Sequence, residues 1–236
     1  MKQKPEKLHY ESVLPLLVNT LHQLMGESLF NPFVLVGGTN LCLRLGHRRS
    51  DDIDLFTDVQ YGSLDYDALE EYLKNSFPYY NCPDKSTVVG FGRSYYIGLS
   101  EDNCVKLDLM YADAPFFEPF ETNDGIRMAT IEQIAAMKME AINTGGRKKD
   151  WWDIHELLKT FSLIQLLLLH EKWEEWTHND EELLTKLIQF EEADKQPDPK
   201  CLNGKNWDDI KLDIIDHVTE AKEIIKTKNN KPQATQ

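Results

Sequence analysis

An apolar, largely β-branched run at residues 33–36 stops at Gly37-Gly38-Thr39. Thirteen residues past Thr39 the chain resumes with acids alternating against apolar side chains, Asp52-Ile53-Asp54-Leu55-Phe56. This order leaves few folds open. Four apolar residues are too few for a helix and the glycine pair ends the run, so residues 33–36 read as a strand, followed by a turn and a short helix over 39–45. Side chains alternate between faces along a strand, so Asp52 and Asp54 share the face of a polar cleft while their apolar neighbours pack on a core.

A third acid, Asp108, stands between Leu107 and Leu109 in a strand predicted over 105–110. Two more strands are predicted over 87–91 and 95–99, joined as a hairpin at Gly92-Arg93. Helical spacing of apolar residues marks 7–25 and 67–74. After Thr130, which can form a capping box with Gln133, it also marks stretches over 148–169, 180–190 and 207–225. The pattern predicts an α/β (α+β) chain with a mixed-sheet core over 1–125 and a helical C-terminal domain over 126–236. The boundary is placed near Gly125, and 226–236 is read as a frayed tail.

Composition narrows the function. A net charge of -14 on 236 residues argues against a protein that clamps nucleic acid by bulk electrostatics, leaving only the short basic clusters at 47–49 and 147–149. The four cysteines are far apart with no CxxC pair, which favours buried reduced thiols over zinc or disulfides. The N-terminus lacks a signal-peptide apolar run and the LIQLLLLH stretch is too short to cross a bilayer, so the expected setting is cytoplasmic, away from membranes.

Each part of the ordered set has a physical task if the chain handles a nucleoside triphosphate (NTP). Transfer of a phosphoryl-type group to a hydroxyl builds up charge, and hard magnesium ions that offset it need oxygen ligands. Asp52, Asp54 and Asp108 are the candidate metal and catalytic carboxylates for two ions, with Asp108 also the candidate base. Gly37 and Gly38 let backbone N–H groups approach a triphosphate, the helix that follows presents its positive end, and Thr39 adds a hydroxyl. Arg48 could reach a triphosphate oxygen and Ser50 could fix the loop, whereas His47 reads as structural and Arg49 and Arg93 as solvated. Lys138 falls inside the apolar stripe Ile131, Ala135, Ala141 and Ile142, so it faces inward and requires an anion, either a phosphate or Asp150. Asp150 and Asp153 begin a helix, where acids are favoured, and for Asp153 that is the whole reading; Trp151 and Trp152 read as core. A glycine pair, an Asp-x-Asp or a strand Asp is weak evidence alone; their order and spacing together carry the argument.

The stretches VLVGGTNLCLRLGHRRSDDIDLF, VKLDLMY and IAAMKMEAINTGGRKKDWWDIHELL resemble the nucleotidyltransferase superfamily and, within it, the AbiEii/AbiGii toxin family. The resemblance implies a nucleotidyltransferase fold moving an NMP from an NTP onto an acceptor, RNA such as tRNA or a protein. It also implies a toxin of a toxin-antitoxin system with a cognate antitoxin partner. It carries Gly38 and Thr39 over to triphosphate binding, Asp52 and Asp54 to metal, and Lys138, Lys149 and Asp150 to a second block of the nucleotide site, with the triphosphate in a cleft between the domains. The family pattern has an Arg seven residues after its Lys; here Gly145 stands there and Arg147 follows. That departure motivates the alternative of a catalytically weakened protein that binds a nucleotide or partner for regulation. A metal-dependent nuclease would also cluster acids, but would need neither the Gly-Gly-Thr turn nor Lys138.

Overall fold

The computed structural model describes residues 7–84, 86 and 89–229. In chain order its elements are α1 (Pro15–Gly26), β1 (Val34–Leu35), α2 (Gly37–Leu45), β2 (Asp52–Thr57), α3 (Tyr66–Ser76), β3 (Tyr79–Asn81), β4 (Gly92–Ser100) and β5 (Asn103–Tyr111). There follow β6 (Glu121–Asn123), β7 (Ile126–Met128), α4 (Ile131–Asn143), α5 (Lys148–Leu157), α6 (Leu163–Trp173), α7 (Asp180–Lys186), α8 (Glu191–Asp194) and α9 (Trp207–Asn229). They form two compact units that divide between Ile134 and Ala135. The mixed α/β class is as the sequence predicts.

In the first unit the seven strands form one mixed sheet in the order β3-β4-β5-β2-β1-β7-β6. β2 runs parallel to β5 and β1 parallel to β7, while the other neighbours are antiparallel. Ile53, Leu55, Leu107 and Leu109 line one face and are buried with Leu17, Leu21 and Leu24 of α1 and Leu69 and Leu73 of α3. Burial of that apolar face drives the packing and leaves the alternate side chains of β2 and β5, all half-buried, on the other face.

Several predicted elements shift, each for a local reason. The N-terminal helix begins at Pro15 rather than residue 7, preceded by a 3-10 turn at Tyr10–Ser12, because Pro15 supplies a fixed φ at the first helical position. The hairpin predicted at Gly92-Arg93 is absent: both residues lie inside β4, which pairs with β3 and, through a two-residue turn at Glu101-Asp102, with β5. Of the strand predicted over 87–91, Thr87 and Val88 lie outside the described residues, and residues 89–91 are not in a strand.

Past residue 123 the chain still belongs to the sheet. Asp124 (φ 50) and Gly125 (φ 77) are the left-handed corner of the β6–β7 hairpin, where the sequence pattern placed a domain boundary. Thr130 does cap α4, accepting from the Gln133 N–H at 3.2 Å, but the Gln133 side chain accepts from Phe117 N instead of returning the bond. The helix predicted over 148–169 is two, α5 and α6, because Ser162 and Gln165 form a capping box that starts a new one. Residues 226–229, read as tail, continue α9, and 230–236 lie outside the described residues. Of the cysteines only Cys42 is buried; Cys82, Cys104 and Cys201 are half-buried. No helix among the described residues is long and apolar enough to cross a membrane.

Candidate active site

The parallel pairing of β2 with β5 sets Asp52 opposite Lys106 and Asp54 opposite Asp108. Four charged side chains thus stand as a two-by-two array on the sheet face away from the α1 core. Lys106 Nζ lies 2.5 Å from Asp108 Oδ2, and Asp108 Oδ1 is buried with no hydrogen-bond partner among the described residues. Burial pulls the Lys106 pKa down, but the hydrogen bond and charge of Asp108, with the charges of Asp52 and Asp54, outweigh it and hold it above its ordinary value.

Beside this array β1 ends and α2 begins. Gly37 has φ +70, and a Cβ there would collide with Asp54 Oδ2; a Cβ at Gly38 would collide with Arg48 Nη2. Gly37 lets the backbone pass directly over Asp54 of the acid strand in a left-handed conformation that favours glycine, while Gly38 leaves room for the Arg48 guanidinium. The N-cap residue of α2 is Val36, whose side chain makes no capping hydrogen bond, and a helix N-terminus directs its leading N–H groups toward anions. The Gly37→Ala variant is expected to cost about 1–2 kcal/mol from the left-handed backbone alone. Thermal melting of this variant beside the wild type checks this.

The remaining predicted residues separate into two groups. Thr39 is fully buried; its hydroxyl donates to the Asp52 carbonyl and accepts from the Ser50 hydroxyl at 2.9 Å, so it braces the glycine turn against the acid strand instead of facing a ligand. The Ser50 hydroxyl, expected to bond backbone, meets the Thr39 hydroxyl at 2.9 Å, and the tie to the neighbouring loop is the Ser50 backbone N–H donating to Ser12 O at 3.0 Å. Arg48 is 1% exposed, packs beneath Gly38 and donates to Arg49 O, and His47 is buried beside it. Arg93, read as solvated, instead forms a largely buried ion pair with Glu70. Asn40 went unrecognised in the sequence: its amide bridges Leu35 O and Ala129 O, and its Oδ1 accepts from Arg44 Nε, so it locks α2 to β1 and the end of β7.

Within the second unit Lys138 does face inward, and its partners are Asp150 at 2.7 Å and Asp153 at 2.6 Å. Asp153 is therefore more than a helix-start acid: it is fully buried against the ammonium. Asp150 also accepts from Arg147 N at 2.9 Å, and Lys149 is half-buried. Two carboxylates offset the Lys138 charge, so its burial is explained without a phosphate. Gly145, with φ +99, ends α4 in a conformation unfavourable to the arginine of the family pattern, and the Arg147 side chain is 64% exposed at 3.8 Å from Asp150. Trp151 and Trp152 are core, the latter stacked on Trp207.

Among the described residues no three His, Cys, Asp or Glu side chains form a finished metal cage. The array nonetheless suits a hard divalent ion: its donors are carboxylate oxygens, one buried oxygen of Asp108 has no hydrogen-bond partner among the described residues, and Gly37 presents no Cβ to Asp54.

Over residues 21–227 the sequence matches the family model described as nucleotidyl transferase AbiEii toxin, type IV TA system. The chain belongs to the AbiEii nucleotidyltransferase toxin family. It is 30% identical over 178 residues to an uncharacterised protein of Aquifex aeolicus, covering 73% of this chain and 81% of that one. Among solved structures it resembles JHP933 from Helicobacter pylori, with TM-score 0.58, 19% identity and coverage of 92% of this chain and 97% of that one. It also resembles MenT4, a nucleotidyltransferase toxin of Mycobacterium tuberculosis, with TM-score 0.57, 14% identity and coverage of 87% and 83%. At these identities the structural likeness establishes the AbiEii chain's fold, and the family match establishes its kinship with nucleotidyltransferases.

Proposed function

We propose that this AbiEii chain moves an NMP from an NTP onto an acceptor, RNA such as tRNA or a protein, as the toxin of a toxin-antitoxin pair. The observation that carries the reading is the register of Asp54 opposite Asp108, with the Gly37 backbone pressed against Asp54. Asp52, Asp54 and Asp108 would hold magnesium, two ions in this reading, whose charge offsets that of the triphosphate. The backbone N–H groups at Gly37 and Gly38 and the open end of α2 bind the triphosphate oxygens. Asp108 takes the proton of the acceptor hydroxyl as that oxygen bonds to the α-phosphorus and pyrophosphate departs. Thr39 and Ser50 act by fixing the glycine turn to β2. Gly145 in place of the family arginine favours a second reading, a weakened enzyme that retains nucleotide binding for regulation.

Mg-NTP should raise the melting temperature: at one hundred times Kd the stabilisation is about 2.7 kcal/mol. Thermal scans with magnesium alone, NTP alone and both together check this. Stabilisation by magnesium alone with no response to any NTP would point to a nuclease instead.

A further inference from the structure

Lys106 stands inside the array of the three acids. It shares a strand face with Asp108, is the register partner of Asp52, and places Nζ 2.5 Å from Asp108 Oδ2 with the lysine side chain 34% exposed and that of the aspartate 14%. An ordinary surface ion pair contributes little and leaves its carboxylate otherwise solvated. Here the second oxygen, Oδ1, is buried with no hydrogen-bond partner among the described residues, so the ammonium satisfies half of a carboxylate whose other half still seeks a cation.

We propose that Lys106 is a built-in placeholder cation that holds Asp108 while the site is empty and competes with the divalent ion for it. The inference rests on the metal-assisted reading above. Two positive charges cannot share one carboxylate without repulsion, so Lys106 must withdraw from Asp108 as the site fills. The lysine therefore weakens metal binding at Asp108 and keeps the empty array from accumulating uncompensated negative charge. Its long flexible stem suits it to exchange in a way that a fixed guanidinium fork does not.

The test is Mn2+ binding to the full chain, followed by the electron paramagnetic resonance signal of free Mn2+, without nucleotide or turnover. Lys106→Met should bind Mn2+ about five-fold more tightly than the wild type, the scale of one partly exposed ion pair removed from competition. The gain should vanish in an Asp108→Asn background, where there is no carboxylate to contest. Unchanged or weaker binding by Lys106→Met, or a gain that survives Asp108→Asn, would overturn the proposal. Asp54→Asn separates the two claims: if it abolishes Mn2+ binding while Lys106→Met changes nothing, the metal site stands and the placeholder role falls. If no variant binds Mn2+, both fall.

Discussion

Replacing Asp54 by alanine is expected to abolish nucleotidyl transfer, lowering kcat by about 10³-fold or more, the rate equivalent of about 4 kcal/mol of lost charge stabilisation. Asp54 sits where three features converge: it is the register partner of Asp108, it lies against the Gly37 turn, and it shares a face with Asp52. The fold should survive, because the side chain is half-buried and the strand's packing comes from Ile53 and Leu55 on the opposite face. Steady-state transfer and a melting curve on the same preparation check both halves. An Asp54→Ala protein that melts normally and transfers at the wild-type rate would remove this aspartate from the chemistry.

The second large effect concerns stability. Lys138→Met leaves Asp150 and Asp153 buried without their common cation, and breaking a buried pair from one side costs about 3–5 kcal/mol. Against a typical total of about 5–15 kcal/mol, that is enough to unfold much of the population at moderate temperature. The pH response fixes the cause. Burial pushes the Asp150 carboxyl up, but the Lys138 charge and hydrogen bond, with the Arg147 N–H, prevail over it and over the charge of Asp153, so its pKa lies below the ordinary carboxylate value.

A depressed folded-state pKa contributes stability above the unfolded value, about 3.9, that is lost as pH falls through the folded value. In Lys138→Met the sign reverses. The orphaned carboxylates favour protonation, so the variant should gain stability as pH falls from 7 toward 5 while the wild type gains none from this cluster. Denaturant melts at both pH values measure it, and equal pH dependence in the two proteins would assign the lysine a different role.

The site was legible in the sequence to the extent that its signals are local. The alternation in Asp52-Ile53-Asp54-Leu55 gives the acid face directly from strand geometry, and Gly37-Gly38 after an apolar run gives the turn. The register that sets Asp54 beside Asp108 was not legible, because strand pairing between distant segments depends on the whole core. Nor was the direction of the Thr39 hydroxyl: buried Thr and solvent-facing Thr look alike until Ser50 and the Asp52 carbonyl are in place.

Other signals were present and misread. Asp124-Gly125 is a strong hairpin dipeptide, and Ser162-Leu-Ile-Gln165 is a capping box that divides α5 from α6. Lys106 precedes Asp108 by one strand period, so its place on the same face could have been deduced from the same alternation that exposed the acids. Asp153 is the opposite case. Its helix-start position supplied a sufficient local reason, which concealed the Lys138 pairing.

The most direct test of nucleotidyl transfer is incubation of the pure chain with each α-labelled NTP, magnesium and total cellular RNA, beside the Asp54→Ala protein. Label should appear on RNA or protein with the wild type and disappear with the variant, identifying the acceptor class by the fraction that carries it. Magnesium-dependent nucleotide binding without label transfer from any NTP would contradict the transferase account and leave the regulatory binding protein in its place.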